Sequence, residues 1–391
     1  MASLTPPSKE MGDVATPAVP SADFPARAKP EEGVVRTVGQ GAHDSLALSP
    51  AKWLAMLMAW GSASLLIFVV CLGFGAETIS FSQVATLLAQ GPFAEAGTQA
   101  TTSRHIILWQ VRVPRVLLAF MVGGSLAAVG ASLQALLRNP LADPYVIGIS
   151  SGAALGAAVA ILFGVGASIF SLSVLPFCAF LGALVSILIV YRIAVSYGSF
   201  SIHTLLLGGV VLNAIFSALI LFLTSLADPY KAFGMYAWLM GSLTGPDFQT
   251  VSVLALYLFV GVLVLVSQAP ALNLLTLGED AARSLGVEVE RVKRVLFAAA
   301  ALLTGAVVAF SGLIGFVGLI VPHAVRLVCG ADHRLLLLVS GIVGGMFLMV
   351  ADTVARTLLS PAEIPVGVVT ALVGGPIFLY LLVQRRGRIA A

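Results

Sequence analysis

Long apolar blocks dominate the chain, and they lack the alternation of apolar and polar positions that marks a half-buried strand. A helix needs roughly 20 mainly apolar residues to cross the hydrocarbon core of a bilayer. Ten blocks meet that requirement, near 53–75, 115–137, 145–164, 169–191, 204–226, 249–268, 294–311, 313–329, 335–357 and 365–384. Backbone groups in lipid must pair within their own segment, so runs of this kind are predicted as helices. Only Ser311-Gly312 separates the seventh block from the eighth, which requires a very tight turn there. The expected fold is all-α, a polytopic membrane protein with about ten transmembrane helices.

Polar stretches complete the plan. Residues 1–50 hold Pro6, Pro7, Pro17, Pro20, Pro25, Pro30 and Pro50 among Ala, Ser and mixed charges. Such a segment buries too little apolar surface to order itself, so it is expected to be a disordered cytoplasmic tail ahead of a permease domain at 51–391. No apolar core precedes residue 53, which argues against a cleaved signal peptide. Lys and Arg near the span ends fall into two sets. Lys52, Arg138, Arg192, Arg283, Arg291, Lys293, Arg294, Arg326, Arg334, Arg385, Arg386 and Arg388 share one side, and Arg104, Arg112, Arg115, Lys231 and Arg356 share the other. The richer side is expected to be cytoplasmic, together with both termini.

Composition narrows the function. The chain is 59% hydrophobic and 10% charged, with a mean hydropathy of +1.03, so lipid is its main solvent. A net charge of +3, scattered around apolar spans, excludes a nucleic-acid surface. Cys71, Cys178 and Cys329 are far apart and form no C-x-x-C pair, so neither a disulfide framework nor a metal site is expected. The deep spans carry almost no ionisable residues; His323 and Asp352 sit toward helix ends, and Glu363 lies in a short loop. That disfavours a proton-coupled carrier. No G-x-x-x-x-G-K-[ST] occurs, so coupling to ATP must come through a partner. No cluster of Ser, His, Asp or Cys suggests an intramembrane enzyme, and neither catalytic residues nor a cofactor are expected.

Several local features carry more. R-V-P-R-V-L-L-A from Arg112 echoes R-V-K-R-V-L-F-A from Arg291, five spans later. An odd offset reverses direction, so the echo marks either an inverted repeat of spans 2–5 and 7–10 or a coincidence between Ala/Leu/Val-rich helices. The polar insertion 276–293 falls on the cytoplasmic side and looks like two short helices broken at Gly286. Its small apolar face of Ala281, Ala282 and Leu285, flanked by Glu279, Asp280 and Arg283, suits either a lever docked in a partner's groove or a solvated loop. Arg112, Arg115 and Arg356 stand at external span ends, where they could receive an acidic protein surface through bidentate pairs or simply snorkel to lipid phosphate. Glycines at helical spacing (148, 152, 156; 312, 315, 318; 341, 345) are expected to permit close helix packing rather than to line a substrate path.

Taken in order, R-V-P-R-V-L-L-A (112–119), Q-A-L-L-R-N-P-L-A-D-P (134–144), G-I-S-S-G-A-A-L-G (148–156), L-G-E-D-A-A-R-S-L-G (277–286), G-F-V-G-L-I-V-P-H-A-V-R (315–326), A-D-T-V-A-R (351–356) and E-I-P-V-G-V-V-T-A-L-V-G-G-P-I-F (363–378) resemble the FecCD family of permeases. These are membrane subunits of importers for iron-siderophores, haem and vitamin B12. The resemblance covers residues 53–388 and implies a homodimer in the bacterial inner membrane, with the substrate path at its two-fold axis. It also implies two ATP-binding cassette subunits below and a periplasmic or lipid-anchored substrate-binding protein above. Leu277, Gly278, Glu279, Asp280, Ala281, Ala282, Arg283, Leu285 and Gly286 match the region that couples to the ATPase. Arg112, Arg115 and Arg356 match positions that pair with glutamates of the binding protein. Asn139 and Leu141 match the cytoplasmic gate, whose other half lies around Ser201 and Ile202, where the local match is poor. The expected activity is ATP-driven alternating access for an iron-siderophore-type chelate; vitamin B12 or haem is the alternative cargo, and a stand-alone secondary transporter the alternative class.

Overall fold

The computed structural model describes residues 50–92, 99–164, 168–169, 172–196, 200–245 and 247–389. The expected tail therefore lies outside the described residues, Pro50 excepted, as do the side chains of Arg385, Arg386 and Arg388.

The described helices are, in chain order, α1 (Pro50–Gly73), α2 (Phe81–Gln90), α3 (Gln99–Ile106), α4 (Val113–Leu136), α5 (Ile149–Leu162), α6 (Val174–Ala194), α7 (Ile202–Leu226), α8 (Pro229–Leu239), α9 (Phe248–Ser267), α10 (Ala269–Leu275), α11 (Glu279–Ser284), α12 (Val289–Ser311), α13 (Val317–Cys329), α14 (His333–Thr357) and α15 (Val366–Ile389). A π-helical turn, Ile107–Arg112, joins α3 to α4. A two-residue antiparallel ladder pairs Ser168–Ile169 with Leu172–Ser173 ahead of α6. Among the described residues, seven helical segments are long and apolar enough to cross a bilayer, and α5, α13 and part of α15 supply three shorter apolar helices. The ten blocks of the sequence thus correspond to ten helices of a polytopic all-α membrane protein.

Two of those helices start later than their apolar blocks. The block at 145–164 opens with a 3-10 turn, Pro144–Ile147, and α5 begins only after Gly148, whose φ of +90° ends that turn. The block at 313–329 opens without helix, and α13 starts at Val317, five residues after the tight turn at Gly312. Tyr145 joins the two breaks, its phenol oxygen accepting from the Ile314 backbone N–H at 2.5 Å.

α4 lies at the centre of the bundle. It packs on α12, α13 and α14, and the pairings obey an exchange of α4–α7 for α12–α15. As α4 packs on α13 and α14, so α12 packs on α5 and α6; α5 with α6 answers α13 with α14, and α6 with α7 answers α14 with α15. That pattern is what an inverted repeat of spans 2–5 and 7–10 requires. Glycines permit the close approach. A Cβ on Gly123 would strike the Gly344 carbonyl, one on Gly130 the Gly318 carbonyl, and one on Gly152 would lie 2.6 Å from the Gly182 oxygen. Gly156 and Gly345 serve the same purpose, whereas Gly315 faces open space and Gly341 has room to spare.

Candidate functional site

Polar chemistry gathers at two places that α14 holds apart. Its first residue, His333, donates its backbone N–H to Asn273 at the end of α10, beside the 276–293 insertion. Asp352 and Arg356 lie about five turns further on, roughly 30 Å away at 1.5 Å per residue.

At the first place, α11 forms the short lever. The chain reaches it through Gly278 at φ +126° and leaves through Gly286 at φ +85°, so the break expected at Gly286 is present. Ala282 points inward and is fully buried, which corrects its assignment to an exposed apolar face. Ala281 and Leu285, four residues apart on and just after α11, are exposed instead, as is Leu277 in the turn that precedes Gly278. Glu279 accepts from Lys293 Nζ at 2.8 Å and from Arg283 at 3.1 Å, and Arg283 also reaches Asp280 at 3.0 Å. Partial burial would raise the Glu279 pKa, but the Lys293 hydrogen bond and the charges of Lys293, Arg283 and Arg138 prevail and hold it below the ordinary carboxylate value.

The expected gate segments are turns close to this lever. Asn139 Oδ1 accepts from the Leu141 backbone N–H at 2.9 Å and fixes a turn that leaves Leu141 exposed. Arg138, at φ +46°, opens that turn. Ser201 is the N-cap of α7, accepting from the Thr204 N–H, and Ile202 is the first residue of the helix. Asp143 caps the Pro144–Ile147 turn through the Tyr145 N–H at 2.8 Å; burial pushes its carboxyl up to about 6 against the pull of that bond.

At the far end of α14 the three arginines come together, but they turn inward and are buried. Arg112 donates to the carbonyls of Leu72 and Gly73, at 2.7 and 3.3 Å, and to that of Glu77, while Arg356 donates to Cys71 O at 2.6 Å. These include carbonyls at the C-terminus of α1 that have no partner within the helix, so the two guanidiniums cap it. Arg115 forms a fork on Asp352, at 2.9–3.0 Å, and its other nitrogen meets Glu363 at 3.0 Å. Arg356 approaches the same Asp352 at 3.7 Å. Neither a lipid-facing snorkel nor an open rim describes these residues; Glu77 and Glu363 beside them are half-exposed.

Sequence reading missed two central groups. Asp352 was noted only as a residue near a helix end, although A-D-T-V-A-R places it four residues before Arg356 on one helix face. Lys293 was treated as an orienting charge, although its spacing from Glu290 announces a pair, 3.4 Å in the structure. Elsewhere, a cavity of about 540 Å³ opens between α6, α8, α9 and α12, walled by Phe177, Phe180, Trp238, Tyr257 and Phe310. Among the described residues no group of three or more His, Cys, Asp or Glu could hold a metal ion.

The described residues thus form a bundle of apolar, membrane-length helices with a short polar lever at α11. Residues 63–384 match the FecCD transport family, and the chain belongs to that family. It is 48% identical over 284 residues to the cobalamin import system permease protein BtuC of Halobacterium salinarum, covering 73% of this chain and 75% of that one. The hemin transport system permease protein HmuU of Yersinia pestis is 42% identical over 295 residues, covering 73% and 86%. A solved metal-chelate type ABC transporter in an inward-facing conformation superposes with a TM-score of 0.73 at 32% identity, covering 84% of this chain and 99% of that one. The chain is therefore an ABC importer permease.

Proposed function

We propose that this permease carries a metal chelate across the bacterial inner membrane, as a homodimer with a separate pair of ATP-binding cassette subunits. A binding protein delivers the chelate from outside, and both termini are cytoplasmic. The observation that carries this reading is the lever. A bundle with apolar flanks and no phosphate-binding loop presents one folded polar hook, whose exposed Leu277, Ala281 and Leu285 suit a groove on an ATPase. Leu277–Gly286 then couples to ATP, and Asn139, Leu141, Ser201 and Ile202 close the cytoplasmic side. Within the chelate class, cobalamin or haem stands ahead of the ferric siderophore expected from the sequence, because two similar relatives are named for cobalamin and hemin.

The binding protein docks at the arginine end of α14. Arg112, Arg115 and Arg356 already have partners within the chain, so an incoming glutamate reaches Arg115 by displacing the half-exposed Glu363. The decisive experiment is uptake of labelled cobalamin, haem and a ferric siderophore by cells lacking this gene, with and without the restored chain. Restored, ATP-dependent uptake of a chelate is expected. Transport by the purified chain alone under an ion gradient would replace this reading with that of a secondary carrier.

A further inference from the structure

Lys293 is an unusual residue to find at the root of a helix. Its side chain is 5% exposed, yet it carries a charge, and it stands between two carboxylates from different elements. Glu279 belongs to the lever helix α11; Glu290 belongs to the first turn of α12. Glu290 also reaches a third element. Glu290 Oε2 accepts from the Phe200 backbone N–H at 3.0 Å, one residue before Ser201, the N-cap of α7. Glu279 feels the charge of Arg138, one residue before Asn139. The gate segment ahead of α7 is thus tied, through Glu290, to one buried ammonium.

Buried ion pairs give weak net stability, because desolvation offsets much of the attraction; their best-attested use is to fix register between elements. Arg283 reinforces the cluster, reaching Glu279 at 3.1 Å and Glu290 at 3.8 Å. Loss of Lys293 therefore leaves each carboxylate with a cationic neighbour, and the local fold can persist without it.

We propose that the chain Glu279–Lys293–Glu290 is the mechanical link that passes displacement of the ATPase-docked lever to the gate segment ahead of α7, with Lys293 as a positioning residue. This rests on the importer reading above. When the lever moves, Glu279 drags Lys293, and through Glu290 it pulls on the backbone at Phe200 where α7 begins. Removal of the ammonium leaves the lever only the longer Arg283–Glu290 contact at 3.8 Å toward α7, and so weakens the coupling while leaving the lever's own surface intact.

The test uses the full complex, with its ATPase and binding protein, in proteoliposomes. Wild type is compared with Lys293→Met and Lys293→Arg for ATP hydrolysis and chelate transport. Spin labels at His203→Cys in both copies, on a background with Cys71, Cys178 and Cys329 replaced, report the gate distance with and without nucleotide. Lys293→Met is expected to hydrolyse ATP within about twofold of wild type, to lose at least tenfold in transport, and to lose the nucleotide-dependent distance change; Lys293→Arg restores both. Parallel loss of hydrolysis and transport would mean that Lys293 only supports the fold, and unchanged transport would mean that the link is absent; either result overturns the proposal. Wild type without ATP-dependent transport would sink the importer reading itself, and the link with it.

Discussion

Replacing Asp352 with alanine tests how the arginine end is held together. Asp352 is 1% exposed and receives a three-contact fork from Arg115 at 2.9–3.0 Å, with Arg356 at 3.7 Å. Its removal leaves two buried guanidiniums without their common counter-ion, a change that costs about 3–5 kcal/mol when one partner of a buried pair is deleted. The comparison variant is Glu77→Gln, which breaks the pair with Arg104 at 3.1 Å. Both partners there are more than a third exposed, so about 0–1 kcal/mol is at stake, further weakened by salt. Thermal unfolding of the purified protein in detergent, followed by loss of the monodisperse peak, reads the difference. At roughly 2–4 °C per kcal/mol for mid-sized domains, Asp352→Ala falls by about 10 °C and Glu77→Gln by at most about 4 °C. Arg115→Met combined with Asp352→Leu recovers part of the loss, because an apolar pair of similar volume no longer strands that charge. Equal, small shifts for Asp352→Ala and Glu77→Gln would refute the view that the buried network, rather than the apolar packing around it, secures α1, α4 and α14 at this end.

Three further outcomes are expected. Gly130→Ala drives a Cβ into the Gly318 backbone between α4 and α13 and should abolish stable expression, whereas Gly315→Ala, facing open space, should express normally; quantified membrane yield distinguishes them. Burial raises the Asp143 carboxyl to about 6 from an ordinary 3.8, so its contribution to stability is complete below about pH 4 and is lost as pH rises through 6. Melting temperatures from about pH 5 to 7.5 should therefore fall more steeply for wild type than for Asp143→Asn, which keeps the cap on the Tyr145 N–H without the charge. Glu363→Gln releases Arg115 from a competing carboxylate and should tighten docking of the binding protein at least twofold by surface plasmon resonance, while weaker docking would show that Glu363 itself contacts the partner.

What the sequence could reveal depends on how local each physical constraint is. Lipid imposes span length on each segment separately, so the ten blocks were legible one at a time; the pairs Asp352–Arg356 and Glu290–Lys293 lie within one helix turn, where the local signal was present but not read. Helix starts were legible only where a local residue sets them. The block at 145–164 gave no hint that Tyr145 belongs to a turn, because its phenol finds its partner at Ile314, across the repeat boundary.

The arginines show the same limit more sharply. Span-end charges were weighed against lipid and against an external protein, both of which lie outside the chain. Arg112 instead reaches back 40 residues to Leu72 O, and Arg356 reaches back 285 to Cys71 O. At the edge of a bilayer the last carbonyls of a helix lose their partners just where water becomes scarce, so a buried guanidinium from a neighbouring span is a strong solution to their demand. An arginine on the side of a membrane protein that charge bias disfavours should therefore be tested first against the open helix ends of its own bundle. Only donors left after that search are free for a partner, and here Arg115, shared between a buried and a half-exposed carboxylate, is the one whose outer bond can be exchanged.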